Sequence, residues 1–354
     1  MLDNVKDSDV LQQVQHSVCT DICPTGYRKA NRKGQPVCCF DCIRCSKGAI
    51  SNQTDSADCI KCSDDHWSNE SRDKCIPKTI EFLSYTEPLG ITLASSAAFC
   101  SLITASVLFI FFKYRNTPII KANNREISFF LLLALVLCFL CPLIFIGRPA
   151  KYSCMLRQVA FSVIFTISIS SILAKTIMVV IAFKAMTPDS KLKVWVGPTV
   201  PKVTVTFCSL IQLVICFVWL GTSPPFPEEN MISQEGAITV ECNEGSSSTF
   251  YSVLGYMGIL TCASFIVAFI ARKLPDTFNE AKFITFSMLV FASVWLTFIP
   301  AYLSVKGKYM VAVEIFAILL SSAGLLCCIF FPKCFIILFK PSVNTREHIL
   351  SRQT

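Results

Sequence analysis

Charge is scarce in this chain. Asp, Glu, Lys and Arg make up 16% of its 354 residues, against roughly 25% in an ordinary soluble domain, so the sequence cannot wrap a globule in a polar skin. Histidine is scarcer still. His16, His66 and His348 are the only three, all outside the long apolar stretches, and no Ser-His-Asp arrangement has a plausible shared location. No glycine-rich phosphate loop is present either. The chain is therefore not expected to be an enzyme, and neither a metal nor another cofactor is expected. A signal peptide is also lacking, since Met1 to Gln15 is polar and acidic and the first apolar run of sufficient length begins at Leu89. Either the first span serves as the anchor or the natural N-terminus lies upstream, and the cysteines below favour the second expectation.

What the chain has instead is apolar sequence. Hydrophobic residues make up 53%, Phe alone numbers 29, and the mean hydropathy is +0.56. A helix needs about 20 apolar residues to cross a ~30 Å hydrocarbon core, and seven runs qualify. Leu89 to Phe112, Ile127 to Gly147, Val203 to Leu220, Phe250 to Ala271 and Phe283 to Val305 carry no charge, whereas Gln158 to Phe183 holds Lys175 and Tyr309 to Phe331 holds Glu314. Cytoplasmic loops retain Lys and Arg. With residues 1 to 87 outside, fifteen basic residues fall on the inner side: Lys113, Arg115, Lys121, Arg125, Lys184, Lys191, Lys193, Lys202, Arg272, Lys273, Lys282, Lys333, Lys340, Arg346 and Arg352. Against them stand Arg148, Lys151, Lys306 and Lys308 in the outer loops. The N-terminus is outside and the C-terminus inside. The net charge of +8 is thus a topological label with no basic face, which excludes a nucleic-acid partner.

Nine of the 20 Cys crowd into one polar stretch: Cys19, Cys23, Cys38, Cys39, Cys42, Cys45, Cys59, Cys62 and Cys75. So short and polar a segment cannot stabilise itself by core burial, and cross-links must substitute. Zinc is the competing reading, because Cys42-x2-Cys45 and Cys59-x2-Cys62 resemble a ribbon, but the loop charges place the segment in the oxidising compartment, where disulfides form. The acceptors Asn52-Gln53-Thr54 and Asn69-Glu70-Ser71 agree with an extracellular glycosylated segment. An odd count leaves one thiol for an interdomain or intermolecular bridge. Cys154, just before the third span, and Cys242, in the second outer loop, make another candidate bridge that would pin the loop over the bundle mouth. The alternative is two free thiols.

The cysteine-rich segment also carries Gly26-Tyr27-Arg28-Lys29, Cys38-Cys39-Phe40-x-Cys42-x2-Cys45, Asn52-x-Thr54-Asp55 and Cys59-x2-Cys62. The spans are accompanied by Thr117 to Arg125, Gly221 to Phe226, Leu274 to Phe283 (Leu-Pro-Asp-Thr-Phe-Asn-Glu-Ala-Lys-Phe) and Pro332 to Phe335. From about residue 16 to about 345 the chain resembles class C (family 3) G-protein-coupled receptors, and within them the vomeronasal type 2 receptors. The resemblance implies a small disulfide-rich extracellular domain at 16–80, a seven-transmembrane helix bundle at 81–340, an N-terminal remnant at 1–15 and a cytoplasmic tail at 341–354. It implies the pairs Cys19 with Cys39, Cys23 with Cys42, Cys45 with Cys59 and Cys62 with Cys75, with Cys38 reaching back to a bilobed agonist-binding domain that is absent from this chain. It also implies a heterotrimeric G protein as partner, an extracellular ligand bound through that missing domain, and a dimer in the full-length form. Phe335 departs from the family's usual tyrosine.

An ionisable residue at bilayer depth is a functional hypothesis by default. Lys175 either snorkels to the inner headgroups or pairs with Glu280. In the family, the corresponding lysine and glutamate hold the resting state together, so loss of either is expected to raise basal signalling and a charge-swapped pair to restore it. By the same resemblance Trp295 floors a membrane pocket for small ligands, near Glu314, its alternative being lipid or core packing. Pro300 is expected to kink the sixth helix. Membrane lipid and the G protein are the expected partners of the inner basic loops. The competing readings are a calcium-sensing or amino-acid-sensing class C receptor and, from another class, a multi-span transporter, which lacks support in any internal repeat.

Overall fold

The cysteine-rich stretch forms a series of short antiparallel hairpins. β1 (Tyr27–Asn31) pairs with β2 (Phe40–Arg44), β3 (Ala49–Ile50) with β4 (Ile60–Lys61), and β5 (His66–Ser68) with β6 (Cys75–Pro77), followed by β7 (Thr79–Glu81). Two-stranded ribbons of this size are not stable alone. Disulfides supply the missing core: Cys19 joins Cys39, Cys23 joins Cys42, Cys45 joins Cys59 and Cys62 joins Cys75, across separations of 20, 19, 14 and 13 residues. A cross-link over such a loop restricts the unfolded chain by about 3 kcal/mol. Every cysteine of the two CxxC pairs is therefore engaged in a disulfide. Gly26 has φ +85°, and a Cβ there would strike the Ser71 carbonyl, so the turn requires glycine. The loop tip Gln234–Ile238 belongs to this unit. Glu235 takes the Lys47 ammonium at 2.7 Å, and Gly236 lies against the Trp67 indole.

The apolar runs form the second unit, in a computed structural model that describes residues 19–122, 124–185, 197, 199–231, 234–272 and 280–339. The expected remnant, the expected tail, Leu274 to Asn279 and the inner-loop cations Lys191, Lys193, Lys273, Lys340, Arg346 and Arg352 lie outside the described residues. The helices are α1 (Pro88–Lys113), α2 (Pro118–Ala122), α3 (Arg125–Leu140), α4 (Pro142–Phe145), α5 (Lys151–Lys184), α6 (Thr199–Thr222), α7 (Ser247–Ala271), α8 (Glu280–Ser304), α9 (Lys308–Ile329) and α10 (Phe331–Phe339). Among the described residues, seven segments are long and apolar enough to cross a membrane, α3 with α4 counting as one and α9 with α10 as another.

Three of the spans differ from expectation. The third span starts seven residues earlier, at Lys151, because a search for uncharged runs stops at Arg157. The second and seventh are interrupted at Cys141 and Phe330, each just ahead of a proline, Pro142 or Pro332, that cannot donate to the preceding turn. Pro300, by contrast, sits inside a continuous α8. The bundle centres on α5, which packs against α3, α6, α7 and α8. Its core includes Leu131, Leu135, Ile169, Ile172, Met288 and Ile318. Phe99, Phe109, Phe207 and Phe217 face outward, as suits a surface solvated by lipid. Between α6 and α7 a hairpin of β8 (Phe226–Asn230) and β9 (Ala237–Asn243) runs in register from Phe226 opposite Asn243 to Asn230 opposite Thr239.

Candidate functional site

Among the described residues, the ionisable side chains buried in the bundle, Arg157, Lys175, Glu280, Glu314 and Lys333, lie toward its two ends, while buried serines, threonines and Gln212 occupy the middle. Arg157 and Lys175 lie 18 residues apart on α5, about 27 Å along the helix, close to the thickness of the hydrocarbon core. Each therefore sits near one edge of that core.

At the inner end Glu280 opens α8, where a carboxylate is favoured by the helix dipole. Lys333 reaches it from α10 with Nζ to Oε1 at 2.7 Å, and Lys175 from α5 at 3.4 Å. Lys175 also donates to the Ser128 hydroxyl of α3 at 2.8 Å. The four residues are 8% (Glu280), 5% (Lys333), 3% (Lys175) and 1% (Ser128) exposed, so Lys175 turns into the bundle and does not snorkel outward. Lys333 follows Ser322, Leu326 and Ile329 at helical spacing, so it falls on the same buried face. Two ammoniums thus share one carboxylate, and four inner helix segments meet on it.

At the outer end the Trp295 indole stacks among Phe161 (5.6 Å between ring centroids), Phe165 (5.8 Å), Phe291 (6.1 Å) and Phe298 (5.2 Å). Its Nε1 is buried without a hydrogen-bond acceptor among the described residues. Phe298 stacks in turn on Tyr302 at 5.2 Å, and the Tyr302 hydroxyl donates to Glu244 Oε1 at 3.5 Å. One turn outward of Phe161, Arg157 is 4% exposed, with its guanidinium 5.4 Å from the centre of the Phe145 ring. Glu314, on α9, is 8% exposed. Arg157 and Tyr302 thus stand outward of the aromatic cluster around Trp295.

Cys154 and Cys242 are bonded, tying the loop hairpin to the start of α5 across a separation of 88 residues. Cys38 is exposed and outside any disulfide. Asn52 is exposed. Asn69 is not equivalent to it: its side-chain amide donates to Asp73 Oδ1 at 2.5 Å, and its oxygen accepts from the Asp73 and Lys74 N–H groups at 3.1 and 3.3 Å.

Sequence reasoning missed Lys333, Ser128, Arg157 and Tyr302. Lys333 reads as one more inner cation, and a helix serine is unremarkable. Arg157 belonged to neither a loop nor a span in the expected boundaries; with the outer loops it makes fifteen inner against five outer basic residues, and the orientation is unchanged. Its position four residues ahead of Phe161 was the available signal.

Residues 83–333 match the family model described as "7 transmembrane sweet-taste receptor of 3 GCPR", and residues 14–68 the "Nine Cysteines Domain of family 3 GPCR". Among curated relatives, mouse vomeronasal type-2 receptor 26 is 53% identical over 335 residues, 95% of this chain and 39% of that receptor. The human extracellular calcium-sensing receptor is 48% identical over 338 residues, 96% of this chain and 31% of the receptor. The goldfish G-protein coupled receptor family C group 6 member A is 38% identical over 337 residues, 94% of this chain and 38% of the receptor. The chain therefore spans between three-tenths and two-fifths of the length of these relatives. A seven-helix bundle with a buried polar cluster at each end, preceded by a disulfide-stapled segment, and matched by both family models, places the chain among the class C (family 3) G-protein-coupled receptors, as a multi-pass plasma-membrane protein with its cysteine-rich segment outside.

Proposed function

We propose that the chain is the transducing portion of a vomeronasal type 2-like chemosensory receptor, relaying a pheromone, peptide or amino-acid signal to a heterotrimeric G protein. The observation that carries this reading is the buried meeting of Lys175, Lys333 and Glu280 at the inner face. A shared ion pair of this kind stabilises only the arrangement in which its helices are close, so its rupture biases a two-state equilibrium. Lys175 and Glu280 are its resting-state pair, and Lys333 is its third member. Trp295 and Glu314 form the membrane pocket for small regulators. Cys38 bridges to a ligand-binding domain of the full-length receptor, in which two copies associate. Asn52 and Asn69 carry glycans, and the functional boundaries fall at 16–80 and 81–340.

The test is nucleotide exchange by a purified heterotrimeric G protein added to the chain in lipid nanodiscs. Wild type is expected to be nearly silent and Glu280→Gln to be active. Equal exchange rates for the two proteins would sink the reading. The 48% identity to calcium-sensing receptors supports calcium or amino-acid sensing as the second reading. A full-length receptor challenged with calcium, amino acids and peptides in turn separates the two.

A further inference from the structure

A cleft between the inner ends of α7 and α8 is used by neither buried cluster. Phe265, Phe269, Phe286 and Leu289 line it, Arg272 and Lys282 stand at its rim, and it encloses about 540 Å³. Its walls face lipid, Phe286 being 57% and Leu289 51% exposed. Thr285 Oγ1 shares its one proton between the Ala281 carbonyl of its own helix at 2.7 Å and the Ala268 carbonyl of α7 at 2.9 Å, so the two helices are in contact at the cleft. The Arg272 guanidinium lies 3.6 Å from the centre of the Phe269 ring, so one charge is held directly against the apolar wall. Glu280, two residues from Lys282, is turned into the bundle against Lys333 and Lys175.

Cations above an apolar furrow, at the cytoplasmic edge of the hydrocarbon, meet the leaflet that carries anionic lipid. We infer that this cleft binds one anionic phospholipid of the inner leaflet, with an acyl chain along Phe265, Phe269, Phe286 and Leu289 and the phosphate between Arg272 and Lys282. The hydrocarbon wall is what selects a lipid over a soluble phosphate, because two exposed cations in water hold an anion weakly. The net negative headgroup is what selects phosphatidylserine over phosphatidylcholine. A lipid seated there bridges the end of α7 to the start of the helix that carries Glu280. The inference does not depend on which ligand or G protein the receptor uses.

The test titrates fluorescently labelled phosphatidylserine into the whole chain purified in neutral micelles and follows anisotropy. Each basic residue near a membrane surface contributes about 1 kcal/mol, so R272A/K282A is expected to weaken binding about 30-fold, which is about 2 kcal/mol at 1.4 kcal/mol per tenfold. R272K/K282R is expected to bind as wild type does, and L289S to weaken binding with both cations in place. Glycerophosphoserine, the headgroup without chains, is expected not to compete. An unchanged melting temperature of each variant in neutral micelles separates lost binding from lost folding. Binding of R272A/K282A equal to that of R115A/K121A, altered on another inner loop, would overturn the inference. Effective competition by glycerophosphoserine, or equal binding of labelled phosphatidylcholine, would overturn it as well.

Discussion

Replacing Glu280 by Gln removes the carboxylate shared by Lys333 at 2.7 Å and Lys175 at 3.4 Å. At an effective dielectric near 20 these two attractions are about 6 and 5 kcal/mol in Coulomb terms, largely offset by desolvation. What survives is the cost of breaking a buried pair, about 3–5 kcal/mol. If that falls on the resting state alone, the equilibrium moves toward the active state by roughly a hundred- to a few-thousand-fold. Lys333→Met leaves Lys175 on Glu280, so its effect is smaller, about 1–2 kcal/mol. In the Glu280→Gln background the sign reverses. Two ammoniums then face each other with no carboxylate between them, and Lys333→Met should partly restore the resting state. The two-residue charge swap, Lys175→Glu with Glu280→Lys, should restore the resting state only in part for the same reason: the new lysine meets Lys333, and full restoration should require Lys333→Met as well. The assay is basal G-protein nucleotide exchange in nanodiscs, paired with a spin-label distance between the inner ends of α5 and α8. The distance reads the geometry without the G protein. Simple additivity of Glu280→Gln and Lys333→Met, or full rescue by the two-residue swap, would refute the shared-carboxylate reasoning.

Loss of the bridge between Cys154 and Cys242 frees a loop of separation 88, for which chain entropy gives up to about 4.6 kcal/mol. Cys154→Ser, Cys242→Ser and the double variant should therefore melt at one common, lower temperature, and a further drop in the double variant would show that the thiols act separately. Asn52→Gln should shift electrophoretic mobility by one glycan with surface expression unchanged, whereas Asn69→Gln should lower expression, because three hydrogen bonds of about 0.5–1.5 kcal/mol each close its loop. Equal behaviour of the two would contradict that difference. The Cys23 N–H and the Lys29 ammonium hold the Asp55 carboxyl below the usual carboxylate range. A depressed native pKa contributes stability that is complete above the unfolded value near 4 and fades as pH falls through the native value. The acid limb of unfolding in the cysteine-rich segment should therefore be shallower in Asp55→Asn, and an identical limb would remove Asp55 from the account.

The seven spans were legible because a bilayer imposes one plain requirement, a charge-free run of fixed length, and five runs meet it without exception. The same rule hid Arg157, since a search for uncharged sequence ends at the charge that matters. The breaks at Cys141 and Phe330, beside Pro142 and Pro332, were not expected, and the helical spacing that puts Lys333 on the buried face of Ser322, Leu326 and Ile329 was passed over once the residue had been counted as an inner cation. Cysteine arithmetic required one unpaired thiol, and eight remaining cysteines allow 105 pairings. Resemblance alone selected the order that the hairpins adopt. Lys175 and Glu280 came from resemblance too, and three-dimensional packing added the second cation.

The two buried clusters share a pair of helices. On α5 stand Arg157, Phe161, Phe165 and Lys175, and on α8 stand Tyr302, Phe298, Trp295, Phe291 and Glu280. Between the clusters Phe161, Phe165, Phe291 and Trp295 interlock, and a packed aromatic layer shifts between discrete arrangements more readily than it compresses. Pro300 lies outward of Trp295 and removes the hydrogen bond that would brace that turn. The segment from Glu280 to Ile299 is then a rod of about 28 Å. A tilt of about 5° at its outer end carries the inner end through about 2.5 Å. Added to the 2.7 and 3.4 Å contacts on Glu280, that displacement takes both ammoniums beyond salt-bridge range. A small rearrangement of the aromatic layer is thus enough to open the inner cluster, and no helix needs to unwind.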